Sequence, residues 1–219
     1  MIKAWEKMLT TKEIFDRYQE VRSRFPAVNT TSKTLDINSL LDISDDIDAF
    51  IFDAFGVLNV GETLIPEADI RLDQLRERGC AIRILTNAAS YDRGGAIAKF
   101  ERLGVRVKDD EIITSREATL QHIGDANWGV ICADSDALID LPASVIRLGY
   151  RAEDYDAVDK FLFLSTTNWT TQNQELLVAS MKRNSRPLLI GNADLAAPRD
   201  DGFSVEPGHF GHLIADIIP

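Results

Sequence analysis

Cysteine and histidine are scarce in this 219-residue sequence, which has two of the first and three of the second. Cys80 and Cys132 lie far apart, share no C-x-x-C spacing and sit in the apolar runs GCAIRIL and WGVICA. They read as reduced core residues, not as a disulfide framework, and a cytoplasmic setting follows as the default. His122, His209 and His212 match no metal-ligand spacing, and the last two read as a solvated helix start after Gly208. Basic residues are also few: 24 Lys+Arg stand against 35 Asp+Glu, a formal net charge of -11, with no Lys/Arg-rich run. Nucleic acid and anionic membrane are therefore excluded as the main partner, because neither phosphate polymer would be attracted. A small phosphate held through a metal ion stays compatible with this charge. Long apolar stretches are absent as well. The opening MIKAWEKMLTTKEIF has no apolar run of signal-peptide length, and nothing approaches the ~18 consecutive apolar residues of a membrane span. The reading is a soluble, unexported chain without internal repeats.

What is present is a regular alternation of patterns. Thr10 followed by Glu13 is a capping box, and Ile14, Phe15, Tyr18, Val21 and Phe25 recur at helical spacing, so an amphipathic first helix is expected. Residues 27–40, rich in Ser, Thr and Asn, read as a connector. Ala49–Phe52 is a wholly apolar run ending at Asp53, the pattern of a strand buried on both faces. A helix follows over Pro66–Arg78, with Pro in its first turn and Gly79 as its stop, then a strand over Cys80–Leu85 and a helix over Arg93–Leu103. This β-α-β-α series implies parallel strands with right-handed crossovers, placing Asp53 and Thr86 at one edge of a sheet. Ligands of open parallel sheets bind in that crevice. Farther on, strands are expected at Trp128–Ala133, Lys160–Leu164 and Pro187–Ile190, with a helix at Gln172–Arg183. The division drawn is an N-terminal helix and connector at 1–40, a core at 41–116 and 187–219, and an inserted α/β unit at 117–186.

Asp53 is the first chemical candidate. A nucleophilic carboxylate has to stand at a strand end beside backbone N–H groups able to receive phosphate oxygens, and FDAFGVLNVG with Gly56 and Gly61 meets that pattern. An isolated Asp after a strand is more often a turn residue. The matching Thr86-Asn87 at the next strand end supplies a hydroxyl and an amide suited to a transferring phosphoryl group. The acid clusters DISDDID, KDDE and EDYDAVD lack calcium-loop spacing and read as solvated turns. Trp128, Phe161, Phe163 and Trp169 read as packing inside the inserted unit.

Four segments in order, FDAFGVLNVGETLIPEA, GCAIRILTNAAS, KFERLGV with DDEIITS, and LIGNADLAAPRDDGFSVEPG, resemble class IIA of the haloacid dehalogenase superfamily over about residues 48–216. The resemblance implies an α/β, three-layer parallel-sheet core with an inserted α/β cap at 117–186. It implies Mg²⁺-dependent hydrolysis of a small phosphorylated metabolite through an aspartyl-phosphate. By position, Asp53 would be the nucleophile and a metal ligand, and the Phe55 backbone carbonyl a second ligand. Thr86 and Asn87, with N–H groups near Gly56, would bind phosphate. Asn192 and Asp194 match a family N-x-D element, with a turn role equally open.

Two departures accompany the resemblance. Phe55 occupies the position of the family's acid-base Asp, and proton transfer of that kind is worth about 10²–10⁴ in rate. The chain ends at IADIIP, ahead of the family's G-K-P and final acidic motifs, and no other lysine stands in a matching sequence context. The leading reading is a phosphatase with a modified first motif. The rivals are a degenerate protein that binds a phosphorylated metabolite or a partner without turnover, and a portion of a longer enzyme. An exposed sheet edge would encourage homo-oligomer formation.

Overall fold

The computed structural model describes residues 10–27, 34–199 and 202–218; part of the expected connector, 28–33, and the first nine residues of the N-terminal segment lie outside them. The first helix, α1 (Thr11–Glu20), begins as its sequence dictates: Thr10 accepts from the Glu13 N–H, and the Glu13 carboxylate accepts from the Thr10 N–H at 2.8 Å. After β1 (Ala49–Phe52), a small hairpin pairs β2 (Asn59–Val60) with β3 (Thr63–Leu64). Then come α2 (Ala68–Glu77), β4 (Ala81–Thr86), α3 (Arg93–Arg102), β5 (Ile112–Thr114) and α4 (Ser115–Leu120). Strands β1, β4 and β5 form a three-stranded parallel sheet in the order β1-β4-β5.

One face of this sheet is packed and the other is bare. Ile82, Ile84 and Ile112 bury against Leu72 and Leu75 of α2 and Phe100 of α3. Side chains alternate across a strand, so the next residues point the other way. Among the described residues nothing covers that side, and Ile51 is 70% exposed, Leu85 51% and Ile113 43%. The expectation that Ala49–Phe52 is buried on both faces is corrected accordingly. A continuous apolar run specifies a parallel strand; it does not say that both neighbouring layers are supplied by this segment of chain.

The second unit is packed on both faces. It contains β6 (Trp128–Ile131), β7 (Ile146–Arg147), α5 (Ala152–Asp156), β8 (Lys160–Phe163), α6 (Thr171–Arg183) and β9 (Leu188–Ile190). Its four strands are all parallel, in the order β7-β6-β8-β9. The chain closes with a hairpin of β10 (Ala196–Arg199) and β11 (Gly202–Val205), then α7 (Pro207–Ala215). Phe161, Phe163, Trp169, Leu177 and Met181 form one core with Phe210 and Ile214 of α7. Val130, Leu162 and Leu164 form another with Ala89, which comes from the loop after β4.

The expected boundary at 186/187 does not match this division. Leu188–Ile190 pairs with β8, and α7 packs on β9 and the same core, so this part of 187–219 lies with the second sheet. The pattern LLI could not show this, because an apolar strand fits either sheet equally well. Two of the expected solvated acid clusters are also corrected. Of KDDE, Glu111 is buried and paired with Arg76 at 2.7 Å while Asp109 and Asp110 are exposed; EDYDAVD begins inside α5, not in a turn, with Tyr155 buried in the core and Glu153, Asp156 and Asp159 exposed. Cys80 and Cys132 are buried and free, and burial pushes the Cys132 thiol up to about 11. No helix among the described residues is long and apolar enough to cross a membrane.

Candidate active site

Asp53 is exposed at the end of β1, and its Oδ1 accepts from the Ala54 N–H at 2.7 Å. The loop that follows closes on itself. The Leu58 and Asn59 N–H groups donate to the Ala54 carbonyl at 2.8 and 3.0 Å, and the Gly56 N–H donates to the Asn59 carbonyl at 2.7 Å. Gly56 has φ +81°, a left-handed conformation that glycine adopts without steric penalty. Its N–H is thus occupied within the turn, and Gly56 does not line the cavity beside Asp53.

That cavity measures about 450 Å³. From β1 and its loop it receives Asp53, Phe55 and Glu62; from the end of β4, Asn87; from α3, Lys99; and from the returning chain, Asn192, Asp194, Arg199 and Glu206. The segments converge because parallel strands deliver successive loops to one sheet edge. Thr86 does not line the cavity. It is 4% exposed, and its hydroxyl oxygen accepts from the Ala88 N–H at 3.2 Å, which shapes the turn presenting Asn87.

Asn87 reaches across the cavity. Its side-chain nitrogen donates to both carboxylate oxygens of Asp194 at 3.0 Å. The Asp194 N–H in turn donates to Asn192 Oδ1 at 2.9 Å, and the Asn192 amide donates to Glu206 Oε2 at 3.2 Å. The N-x-D element is therefore both a turn and a wall of the cavity. Burial pushes the Asp194 carboxyl above its ordinary value; the Asn87 hydrogen bond opposes this, and the charge of Asp53 adds to it. Burial likewise raises Glu206, against hydrogen bonds from Ser204 and the charge of Arg199.

Two cations stand in the same space, and the sequence pattern identified neither. The Lys99 side chain is 8% exposed, with Nζ 4.1 Å from the centre of the Phe55 ring and 3.8 Å from Glu62 Oε1. The Arg199 guanidinium lies 5.1 Å from the same ring centre, and donates to Ser204 Oγ at 2.8 Å and Glu206 Oε1 at 3.1 Å. A search for a lysine in a matching sequence motif passes over Lys99, because it reaches the cavity from the middle of α3. The signal available was its place in KFERLGV, where helical spacing sets it on the buried face beside Phe100.

The arrangement is a carboxylate at a strand end, three further carboxylates around the same cavity, an amide that bridges to one of them, and two cations. A family model described as haloacid dehalogenase-like hydrolase matches residues 50–139. In solved structures, a possible sugar phosphatase of the haloacid dehalogenase superfamily from Cytophaga hutchinsonii superposes with a TM-score of 0.73 at 19% identity, covering 84% of this chain and 68% of that one. The fold is haloacid dehalogenase-like.

The glycerol phosphate phosphatase of Mycobacterium tuberculosis in complex with magnesium shares this fold with a TM-score of 0.61 at 18% identity, over 80% of this chain and 52% of that one. Among curated proteins, the chloroplastic phosphoglycolate phosphatase 1A of Arabidopsis thaliana is 34% identical over 84 residues. That match spans 38% of this chain and 23% of the relative's length. The haloacid dehalogenase-like fold explains the parallel strands and the second α/β unit; the chemistry rests on the cavity.

Proposed function

We propose that this haloacid dehalogenase-like chain hydrolyses a small phosphate monoester, with Asp53 as nucleophile. The observation carrying this reading is the exposure of the Asp53 carboxylate at the mouth of a cavity that also holds Asn87, Lys99 and Arg199. In the first step an Asp53 oxygen attacks phosphorus, forming an aspartyl-phosphate as the bond to the leaving oxygen breaks. In the second, water attacks that phosphorus, releasing inorganic phosphate and regenerating the carboxylate. Asn87 holds Asp194 in place, and the cations offset negative charge gathering on the phosphoryl oxygens.

The oxygen set fits Mg²⁺. Among the described residues no three His, Cys, Asp or Glu side chains converge as a metal cluster. Two carboxylates, Asp53 and Asp194, nevertheless oppose each other's charge, and the Phe55 carbonyl accepts no hydrogen bond from a described residue. Mg²⁺ commonly uses one or two carboxylates and keeps water and substrate oxygens in its remaining positions. Asp53, the Phe55 carbonyl and Asp194 would hold it, and when bound it would polarise the phosphoryl group.

Phe55 supplies no proton, so this site favours esters whose leaving group departs without acid help. The same residue favours a second reading, in which the cavity binds a phosphorylated metabolite without turnover. Steady-state hydrolysis of an aryl phosphate with Mg²⁺ separates them. Turnover that disappears in Asp53→Asn supports the phosphatase, and binding of the ester without product supports the second reading.

A further inference from the structure

Lys99 and Arg199 belong to different units of the chain, α3 and β10, yet converge on one aromatic ring. Lys99 Nζ is 4.1 Å and the Arg199 guanidinium 5.1 Å from the centre of Phe55. Like charges brought together in a partly dry cavity oppose each other unless an anion lies between them. Their protein partners occupy only part of their donors. Glu62 is 61% exposed and stands 3.8 Å from Lys99, a distance too long for a strong ion pair. Glu206 takes one side of the Arg199 guanidinium and Ser204 its Nε, leaving Nη1 without a partner among the described residues. The ring favours cations over its face, which holds both groups against Phe55, two residues along the chain from Asp53.

We propose that Lys99 and Arg199 form a phosphoryl-binding clamp, assembled on Phe55, that holds the non-bridging oxygens of the ester beside Asp53. Lys99 acts as a compact point charge and Arg199 as a planar fork, and together they present cationic donors among the carboxylates of the cavity independently of any metal. On this account, replacing a proton-transferring side chain by Phe55 gives the site a platform for cation placement. The clamp rests on the phosphatase reading only for the identity of its anion as the reacting group. As an anion site it stands or falls separately.

The test uses the full chain and inorganic phosphate in metal-free buffer with a chelator, with binding read by titration calorimetry. The clamp predicts saturable binding that weakens at least about tenfold in Lys99→Met and in Arg199→Met, as expected on losing a charge-assisted hydrogen bond. Arg199→Lys retains part of the affinity, while Lys182→Met, which removes an exposed charge on α6, leaves it unchanged. Asp53→Asn binds phosphate at least as tightly as the parent, since a negative charge has been removed. Circular dichroism confirms that each variant is folded. Absence of binding in the parent, or equal affinity in the folded Lys99→Met and Arg199→Met variants, overturns the clamp. Phosphate binding with these properties and no aryl phosphate turnover keeps the clamp and removes the phosphatase. Turnover with KM unchanged in both clamp variants does the reverse.

Discussion

The side-chain nitrogen of Asn87 lies 3.0 Å from both carboxylate oxygens of Asp194, although the two residues are separated by 107 positions in the chain. Asn87 follows the last strand residue of β4 in the first sheet, and Asp194 lies on the segment returning from the second. One amide therefore ties the two units together at the cavity and holds a partly buried carboxylate opposite Asp53. A neutral donor is the suitable choice: it orients Asp194 without cancelling the charge that a divalent cation would meet.

The state of Asp194 gives a pH signature. Its carboxyl is raised above the unfolded value, so folding favours the protonated form. Its contribution is fully present below the unfolded pKa and is lost as pH rises through the folded one. Asp194→Asn is expected to be more stable than the parent at neutral pH, with the difference shrinking as pH falls into the carboxylate range. Urea unfolding at several pH values checks this; equal stability across the range contradicts it.

Arg116 is a structural anchor of the site. It is 1% exposed, pairs with Asp136 and Asp140 at 2.6 Å each, and donates to the Ala89 carbonyl at 3.2 Å. It thereby fixes the loop after β4, which presents Asn87, against the second unit. Arg116→Met leaves the buried Asp136 without its charge partner, and a loss of about 3–5 kcal/mol is expected. Chemical denaturation measures it, and a loss within a few tenths of a kcal/mol refutes this role.

Gly208 lets α7 approach the cavity wall. A Cβ built at this position would lie 2.1 Å from the Ala193 carbonyl oxygen and 2.6 Å from that of Asp194. Backbone on both sides has to move to admit a methyl group. Gly208→Ala should destabilise the protein by roughly 1–3 kcal/mol and displace Asp194 from Asn87. A crystal structure of the variant with the hydrogen bonds intact, and undiminished thermal stability, contradicts the prediction.

The site was legible in sequence where the chemistry lies at strand ends. Ala49–Phe52 and Thr86-Asn87 announce themselves by apolar runs that stop at polar residues, and periodicity alone fixes α3 and α6 to within a few residues. Lys99 is legible only as a residue on the buried face of α3; its place in the cavity depends on Phe55 and Glu62 arriving from another loop, which helical spacing does not record. Gly56 shows the converse. It was expected to offer an N–H to phosphate, but the turn it makes uses that N–H internally. The exposed side of β1 was hidden for a different reason: strand patterns record apolar surface, not what covers it.

The most direct test of the central claim is a rapid acid quench of the protein during turnover of an aryl phosphate with Mg²⁺, followed by peptide mass mapping. The account predicts a transient phosphoryl adduct on the peptide containing Asp53, absent in Asp53→Asn together with product formation. Turnover that proceeds without an adduct, and at an undiminished rate in Asp53→Asn, would contradict it.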